Sequence, residues 1–139
     1  GRKTGRDGTS VDGGRLNKKV LIVDDSAMSR RMLSRILESA GHSVIQAEDG
    51  AGGLEMFFLE KPDLVFLDLT MKDMYGLDVL GKIREIDPGA RIIIASADIQ
   101  DQTRDMVNDA GANAFVNKPL SPEKVLSAVE SAFSDIAAK

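Results

Sequence analysis

Apolar residues fall along this chain in two alternating patterns, and the alternation predicts its architecture. Short unbroken runs, Val20-Leu21-Ile22-Val23, Leu64-Val65-Phe66-Leu67 and Ile92-Ile93-Ile94-Ala95, have the length and composition of strands. Two weaker segments, Val44-Ile45-Gln46-Ala47 and Ala114-Phe115-Val116-Asn117, read the same way. Four apolar residues in a row leave no polar face, so the first run is expected to be buried on both sides, like a central strand of a parallel sheet. Between the runs the spacing becomes helical: Met28, Met32, Leu33, Ile36, Leu37 and Ala40, then Leu54, Phe57 and Phe58, then Leu77, Leu80, Ile83 and Ile86. Ser26 or Asp25 is expected to cap the first helix, Gly41 to end it, and Ser121-Pro122-Glu123 to open the last, with Val125, Leu126, Val129 and Phe133 inward. The second helix, about 51–60, is weakened by Gly52 and Gly53, and Arg30, Arg31, Arg35 and Glu38 read as a solvated face of the first. A polar helix from about 100 to 110 offers only Met106, Val107 and Ala110 as anchors and is expected to be loosely held.

Strand and helix thus alternate five times with short connections. That order predicts an α/β three-layer sandwich, a parallel sheet covered by helices on both faces. Five strands fit the flavodoxin-like (βα)5 fold with order 2-1-3-4-5, whose crevice lies between strands one and three at their C-terminal ends. The residues at those ends are chemically unusual. Strand one ends in Asp24-Asp25, strand three in Asp68, strand four in Ser96 and strand five in Lys118-Pro119.

Carboxylates held together raise one another's pKa, so such a cluster calls for a cation. Oxygen ligands without cysteine, and with His42 as the one histidine, select a hard ion, and Mg²⁺ fits best. One or two of the carboxylates Asp24, Asp25 and Asp68 would suffice for it, and the backbone carbonyl of Thr70, two residues past Asp68, is placed to be the remaining protein ligand. One strand-end carboxylate could then attack phosphorus while the ion and Lys118 offset charge on the oxygens and Ser96 donates to one of them. His42, just past a helix end, is taken as structural.

Composition narrows the setting. The first 17 residues hold five glycines, four basic and two acidic residues, and read as an unfolded tail, tag or linker ahead of a domain over 18–139. Removing them leaves 14 basic against 20 acidic residues, a net charge of −6, which disfavours nucleic acid as a direct partner. No apolar run approaches the roughly 20 residues of a membrane helix, no signal-peptide pattern precedes the first strand, and the lack of cysteine excludes disulfides and thiolate chemistry. A cytoplasmic location is the expectation.

Val20-Leu21-Ile22-Val23-Asp24-Asp25-Ser26, Leu64-Val65-Phe66-Leu67-Asp68-Leu69-Thr70-Met71, Ile92-Ile93-Ile94-Ala95-Ser96-Ala97 and Phe115-Val116-Asn117-Lys118-Pro119 resemble, in order and spacing, the signature blocks of the response-regulator receiver domain of two-component signalling. The resemblance covers about residues 18–137, and it fits equally a stand-alone receiver of the chemotaxis type and a piece of a longer regulator or hybrid kinase. It implies that Asp68 is the phosphoacceptor, served by a sensor histidine kinase or a phosphotransfer protein, and that Asp24, Asp25 and the Thr70 carbonyl hold Mg²⁺. Ser96 would be the switch hydroxyl, Phe115 the switch aromatic and Lys118 the phosphate-binding lysine, with a cis Lys118-Pro119 bond. A protein target would be met through the face of helix four, strand five and helix five, by a monomer or weak dimer. Lys72 stands where a proline is common, Tyr75 where a small or acidic residue is, and Phe115 lacks the hydroxyl of the commoner tyrosine. Rival readings are weaker. An aspartate-nucleophile phosphohydrolase needs a second acid where this chain has Thr70, and a flavin site would meet the repulsion of Asp24 and Asp25. A phosphate-independent interaction module would fit a chain missing a site residue, and none is missing.

Overall fold

A computed structural model of the chain describes residues 17–97 and 100–137, with side chains as far as 134. The elements follow in the order β1 (Lys19–Val23), α1 (Ala27–Ser39), β2 (Ser43–Ala47), α2 (Gly50–Glu60) and β3 (Leu64–Asp68). They continue with α3 (Gly76–Ile86), β4 (Ile92–Ser96), α4 (Asp101–Asp109), β5 (Ala114–Asn117) and α5 (Pro122–Ala137). All pairings are parallel and the sheet order is β2-β1-β3-β4-β5, the expected doubly wound arrangement. The expected tail lies outside the described residues except for Asn17, whose amide donates to the Gly41 carbonyl at 3.1 Å.

Successive side chains of each strand go to opposite faces, and this splits the core in two. Leu21, Val23, Val65, Leu67, Ile92 and Ile94 pack under α2, α3 and α4 with Phe57, Val79, Leu80, Ile83 and Val107. Val20, Ile22, Leu64, Phe66, Ile93 and Val116 pack under α1 and α5 with Leu33, Leu37, Val125, Ala128, Val129 and Ala132. The unbroken apolar runs are explained by this double coverage, since β1, β3 and β4 have no solvent side.

Capping follows the sequence at both ends of α1, where the Ser26 hydroxyl accepts from the Ser29 amide at 3.2 Å and Gly41 takes the left-handed φ of 98° that stops the helix. Ser121 caps α5 through the Lys124 amide at 3.2 Å. His42 is buried, and its Nδ1 accepts from the Lys18 amide at 3.3 Å, a structural role in which burial, then the nearby Lys18 charge, lower its pKa.

Several helix faces differ from the expected ones. Met28 and Met32, expected inward, are 69% and 41% exposed. At about 100° per residue they point some 140° and 100° away from Leu33, and α1 settles on its Leu33, Ser34 and Leu37 stripe instead. Phe58 is exposed because α2 approaches the sheet on Gly50, Gly53 and Phe57. A Cβ on Gly53 would sit 2.8 Å from both Val23 methyl groups, so one of the two glycines counted as weakening α2 is what lets it lie close. Ile86 and Met106 also face solvent, the first at the end of α3 and the second beside the buried Val107.

Candidate functional site

The strand ends finish level with one another, which brings their polar residues to one place. Val23 pairs with Leu67, Asp68 with Ala95, and Ser96 with Asn117. Ladder bonds carry on one residue beyond, from the Leu69 amide to the Ala95 carbonyl at 3.1 Å and from the Lys118 amide to the Ser96 carbonyl at 2.8 Å. Backbone pairing therefore positions Asp68, Ser96 and Lys118, and the rigid core beneath leaves the strand ends little freedom.

Asp24, Asp25 and Asp68 each offer a carboxylate oxygen, and these oxygens lie within 4.8 Å of one another. Asp24 is 1% exposed and Asp68 8%, whereas Asp25 faces solvent. The Lys118 ammonium bridges the two buried acids, 3.0 Å from Asp24 Oδ2 and 3.4 Å from Asp68 Oδ1. Asp24 Oδ1 is fixed separately by the Ser26 amide at 2.9 Å, and the Asp24 carbonyl accepts from the Arg30 guanidinium at 2.7 Å. Arg30, expected on a solvated face, is half-buried and also reaches Gln46 Oε1 at 3.1 Å.

One ammonium does not balance three carboxylates in this space. Burial first, and the Asp24 charge second, push the Asp68 carboxyl up to about 6 from 3.8, against the pull of Lys118. Burial would lower the Lys118 pKa, but its hydrogen bonds and charge attraction to Asp24 and Asp68 outweigh it and raise the pKa. Convergent hard oxygen donors with uncompensated negative charge fit a small divalent cation.

The loop after Asp68 closes on itself before α3 begins. Thr70 and Tyr75 form an antiparallel bridge, and the Gly76 amide donates to the Leu69 carbonyl at 2.6 Å. A Cβ on Gly76 would strike the Asp68 carbonyl and sit 2.7 Å from Leu69 Cα, so this return needs glycine. Thr70 and Lys72 are exposed on the loop. Ser96 is buried at the end of β4, and the Lys118-Pro119 bond is cis, as the resemblance implies. Phe115 is half-buried against the α2, α3 and α4 side of the core, with the Arg104 guanidinium 5.3 Å from its ring centre.

Two neighbours of the site carried no local signal in the sequence. Arg104 also donates to Asn117 Oδ1 at 2.8 Å, tying α4 to the residue before Lys118. Asp73 accepts from the Gly50 amide at 2.9 Å and the Ala51 amide at 3.1 Å, tying the loop after Asp68 to the start of α2. Their partners lie 13 and 22 to 23 residues away, beyond the reach of any spacing rule.

A doubly wound five-stranded sheet with acids, a hydroxyl and a lysine at its carboxyl edge defines a receiver-type phosphoacceptor domain, and the family comparison agrees. The response regulator receiver domain family matches residues 20–130, and the chain belongs to that family. It is 41% identical over 115 residues to the chemotaxis protein CheY of Thermotoga maritima, covering 82% of this chain and 96% of that protein. The chemotaxis protein CheY of Bacillus subtilis is 41% identical over 112 residues, 80% of this chain and 93% of that protein. Among solved structures, the CheX-CheY-BeF3-Mg²⁺ complex from Borrelia burgdorferi aligns with a TM-score of 0.82 at 37% identity, over 85% of this chain and 90% of that one. A CheY-like receiver domain from Methanospirillum hungatei aligns at 0.81 and 27% identity, over 88% of this chain and 98% of that one. The chain is accordingly a phosphoacceptor module of two-component signalling. Among the described residues no helix is long and apolar enough to cross a membrane.

Proposed function

We propose that Asp68 is the residue that accepts the phosphoryl group, taking it from the phosphohistidine of a sensor histidine kinase or a phosphotransfer protein in the cytoplasm. The observation that carries this assignment is the convergence of the Asp24, Asp25 and Asp68 oxygens within 4.8 Å, with the Lys118 ammonium between the two buried acids. With its pKa pushed up to about 6, Asp68 is still ionised at neutral pH and is more basic than an ordinary aspartate. Its oxygen attacks phosphorus as the phosphorus–nitrogen bond to the donor histidine breaks. That nitrogen keeps the bonding electrons, and an acyl phosphate forms on Asp68. Lys118 follows the charge from the free carboxylate to the phosphoryl oxygens, and Ser96 at the end of β4 donates to one of them. Asp24, Asp25, Asp68 and the Thr70 carbonyl would hold Mg²⁺, which supplies further positive charge opposite those oxygens. The same groups assist hydrolysis of the acyl phosphate by water. Phe115 and Ser96 couple the phosphorylated state to the surface of α4, β5 and α5, where a protein target is met.

Acetyl phosphate with Mg²⁺ is expected to place an acid-labile, hydroxylamine-sensitive label on the protein. The label should disappear in Asp68→Asn and with chelator. Label persisting in Asp68→Asn would sink the assignment.

A further inference from the structure

The loop that carries Thr70 lacks the proline that its family resemblance leads one to expect, yet it is not slack. Its base is closed by the bridge between Thr70 and Tyr75 and by the Gly76 to Leu69 hydrogen bond. Its tip is held by Asp73, whose two carboxylate oxygens each take one backbone amide at the N terminus of α2, Gly50 at 2.9 Å and Ala51 at 3.1 Å. Asp49, the residue that caps that helix, accepts from the Gly52 amide at 2.7 Å, so Asp73 fills amides that the Asp49 side chain does not. Met74 packs against the same turn, close enough that a Cβ on Gly50 would come within 2.9 Å of its sulfur. The amide bonds also hold the Asp73 carboxyl below its ordinary pKa, so the clamp is charged at any pH where the site works.

We propose that Asp73 is a positioning residue for the metal and phosphoryl site. It clamps the tip of the β3 to α3 loop onto α2 and so supplies, through a side chain, the restraint that a proline at position 72 would supply through the backbone. Both Asp73 oxygens are committed to amides, so it acts on the site through the loop and not as a ligand. The proposal rests on the reading of Asp68 and the Thr70 carbonyl given above. The clamp also explains how Lys72 is tolerated: the side chain at 72 stays in solvent while its neighbour holds the backbone.

The test compares wild type, Asp73→Ala, Asp73→Asn, Lys72→Pro and the double variant Lys72→Pro with Asp73→Ala. Three readouts are needed: the Mg²⁺ dissociation constant from amide shifts, amide hydrogen exchange of the metal-free protein, and the acetyl phosphate reaction at low and saturating Mg²⁺. Asp73→Ala is expected to weaken Mg²⁺ binding about tenfold, the lower end of the range for residues that orient metal ligands without touching the metal. Exchange should rise across residues 70–75 as well as at 50 and 51. The reaction should slow at low Mg²⁺ and recover at saturation. Asp73→Asn, which keeps one acceptor oxygen, should fall between, and Lys72→Pro should restore most of the lost affinity in the double variant. If Asp73→Ala only lowers the Tm, or opens exchange at 50 and 51 alone with Mg²⁺ affinity unchanged, the residue is no more than a helix cap and the proposal is overturned. No rescue by Lys72→Pro would overturn the equivalence with proline. A wild type that takes no label at Asp68 would instead overturn the functional reading, and this assignment with it.

Discussion

Replacing Asp68 by Asn is expected to make the metal-free protein more stable while removing its chemistry. The carboxyl titrates at 3.8 when free and at about 6 in the folded chain, chiefly because it is buried and stands beside Asp24. The folded state therefore binds the proton more tightly than the unfolded one, and stability falls as pH rises from about 4 through about 6. At about 1.4 kcal/mol per pKa unit, the ionised carboxylate costs roughly 3 kcal/mol above pH 6. Asn keeps the shape and an acceptor oxygen for Lys118 but carries no charge. For a domain of this size that corresponds to a Tm higher by roughly 10 °C.

The assay is thermal unfolding of wild type and Asp68→Asn in chelator, followed by circular dichroism at pH 7.5 and pH 4. The gap should be widest at pH 7.5 and shrink to a small fraction of that near pH 4, where the folded carboxyl is protonated and the free one is only about half ionised. Mg²⁺ should narrow the gap at pH 7.5, since an ion at ten times its Kd stabilises its binder by about 1.4 kcal/mol and the variant would lack the proposed Asp68 ligand. If Asp68→Asn is no more stable than wild type at pH 7.5 in chelator, or if the gap is the same at pH 4, Asp68 is not under the electrostatic load inferred for it.

Lys118→Ala should slow single-turnover phosphorylation at least a hundredfold, because the Lys118 ammonium lies 3.0 Å and 3.4 Å from the two buried acids; Lys72→Ala, on an exposed loop, should cost about fivefold or less. Equal losses in the two would promote Lys72 to an essential phosphate ligand. Beryllofluoride with Mg²⁺ should shift amides across residues 100–118 and weaken the 2.8 Å contact of Arg104 with Asn117. Unchanged spectra there would refute a switch in that region. Arg84→Ala should lower stability by about 2 kcal/mol, since its guanidinium joins the carbonyls of Pro88, Ala90 and Gly111 and the side chain of Asn113 below the sheet, and phosphorylation at 25 °C should be unaffected. A Tm within 1 °C of wild type would show that water replaces those bonds at no cost.

What the sequence made legible follows from what a parallel sheet does to its residues. Burial on both faces forces the runs at Val20, Leu64 and Ile92 to be apolar without interruption, so β1, β3 and β4 stand out, while the edge strand β2 is less buried and its run is broken by the exposed Gln46. The same topology brings all strand ends to one edge, which is why Asp24, Asp68, Ser96 and Lys118 could be grouped before any geometry was known. Helix faces were harder. Periodicity shows that α1 is amphipathic, but not that its stripe runs through Leu33 and Leu37 and leaves Met28 and Met32 outside. Composition marked the glycines of α2 as breakers, although Gly53 is where the helix meets Val23. Asp73, Arg104 and Arg30 were not legible because each acts on backbone or side chains that only the tertiary fold brings near.

The distribution of restraints around the site favours one direction for a response to phosphorylation. On one side Asp73 fastens the β3 to α3 loop to α2, and Gly76 leaves no space between α3 and the end of β3. On the other side α4 buries only Thr103 and Val107 within its span, and Arg104 links it to the ring of Phe115 and to Asn117. Asn117 immediately precedes Lys118, the group whose partner would change under the proposed mechanism when a phosphoryl group arrives. Any shift of Lys118 toward new oxygens therefore pulls on the residue that Arg104 holds. A helix with two buried anchors yields to that pull more readily than a loop closed at base and tip, so the charge change at Asp68 is expected to be spent on α4 and β5 and not on α2 or α3.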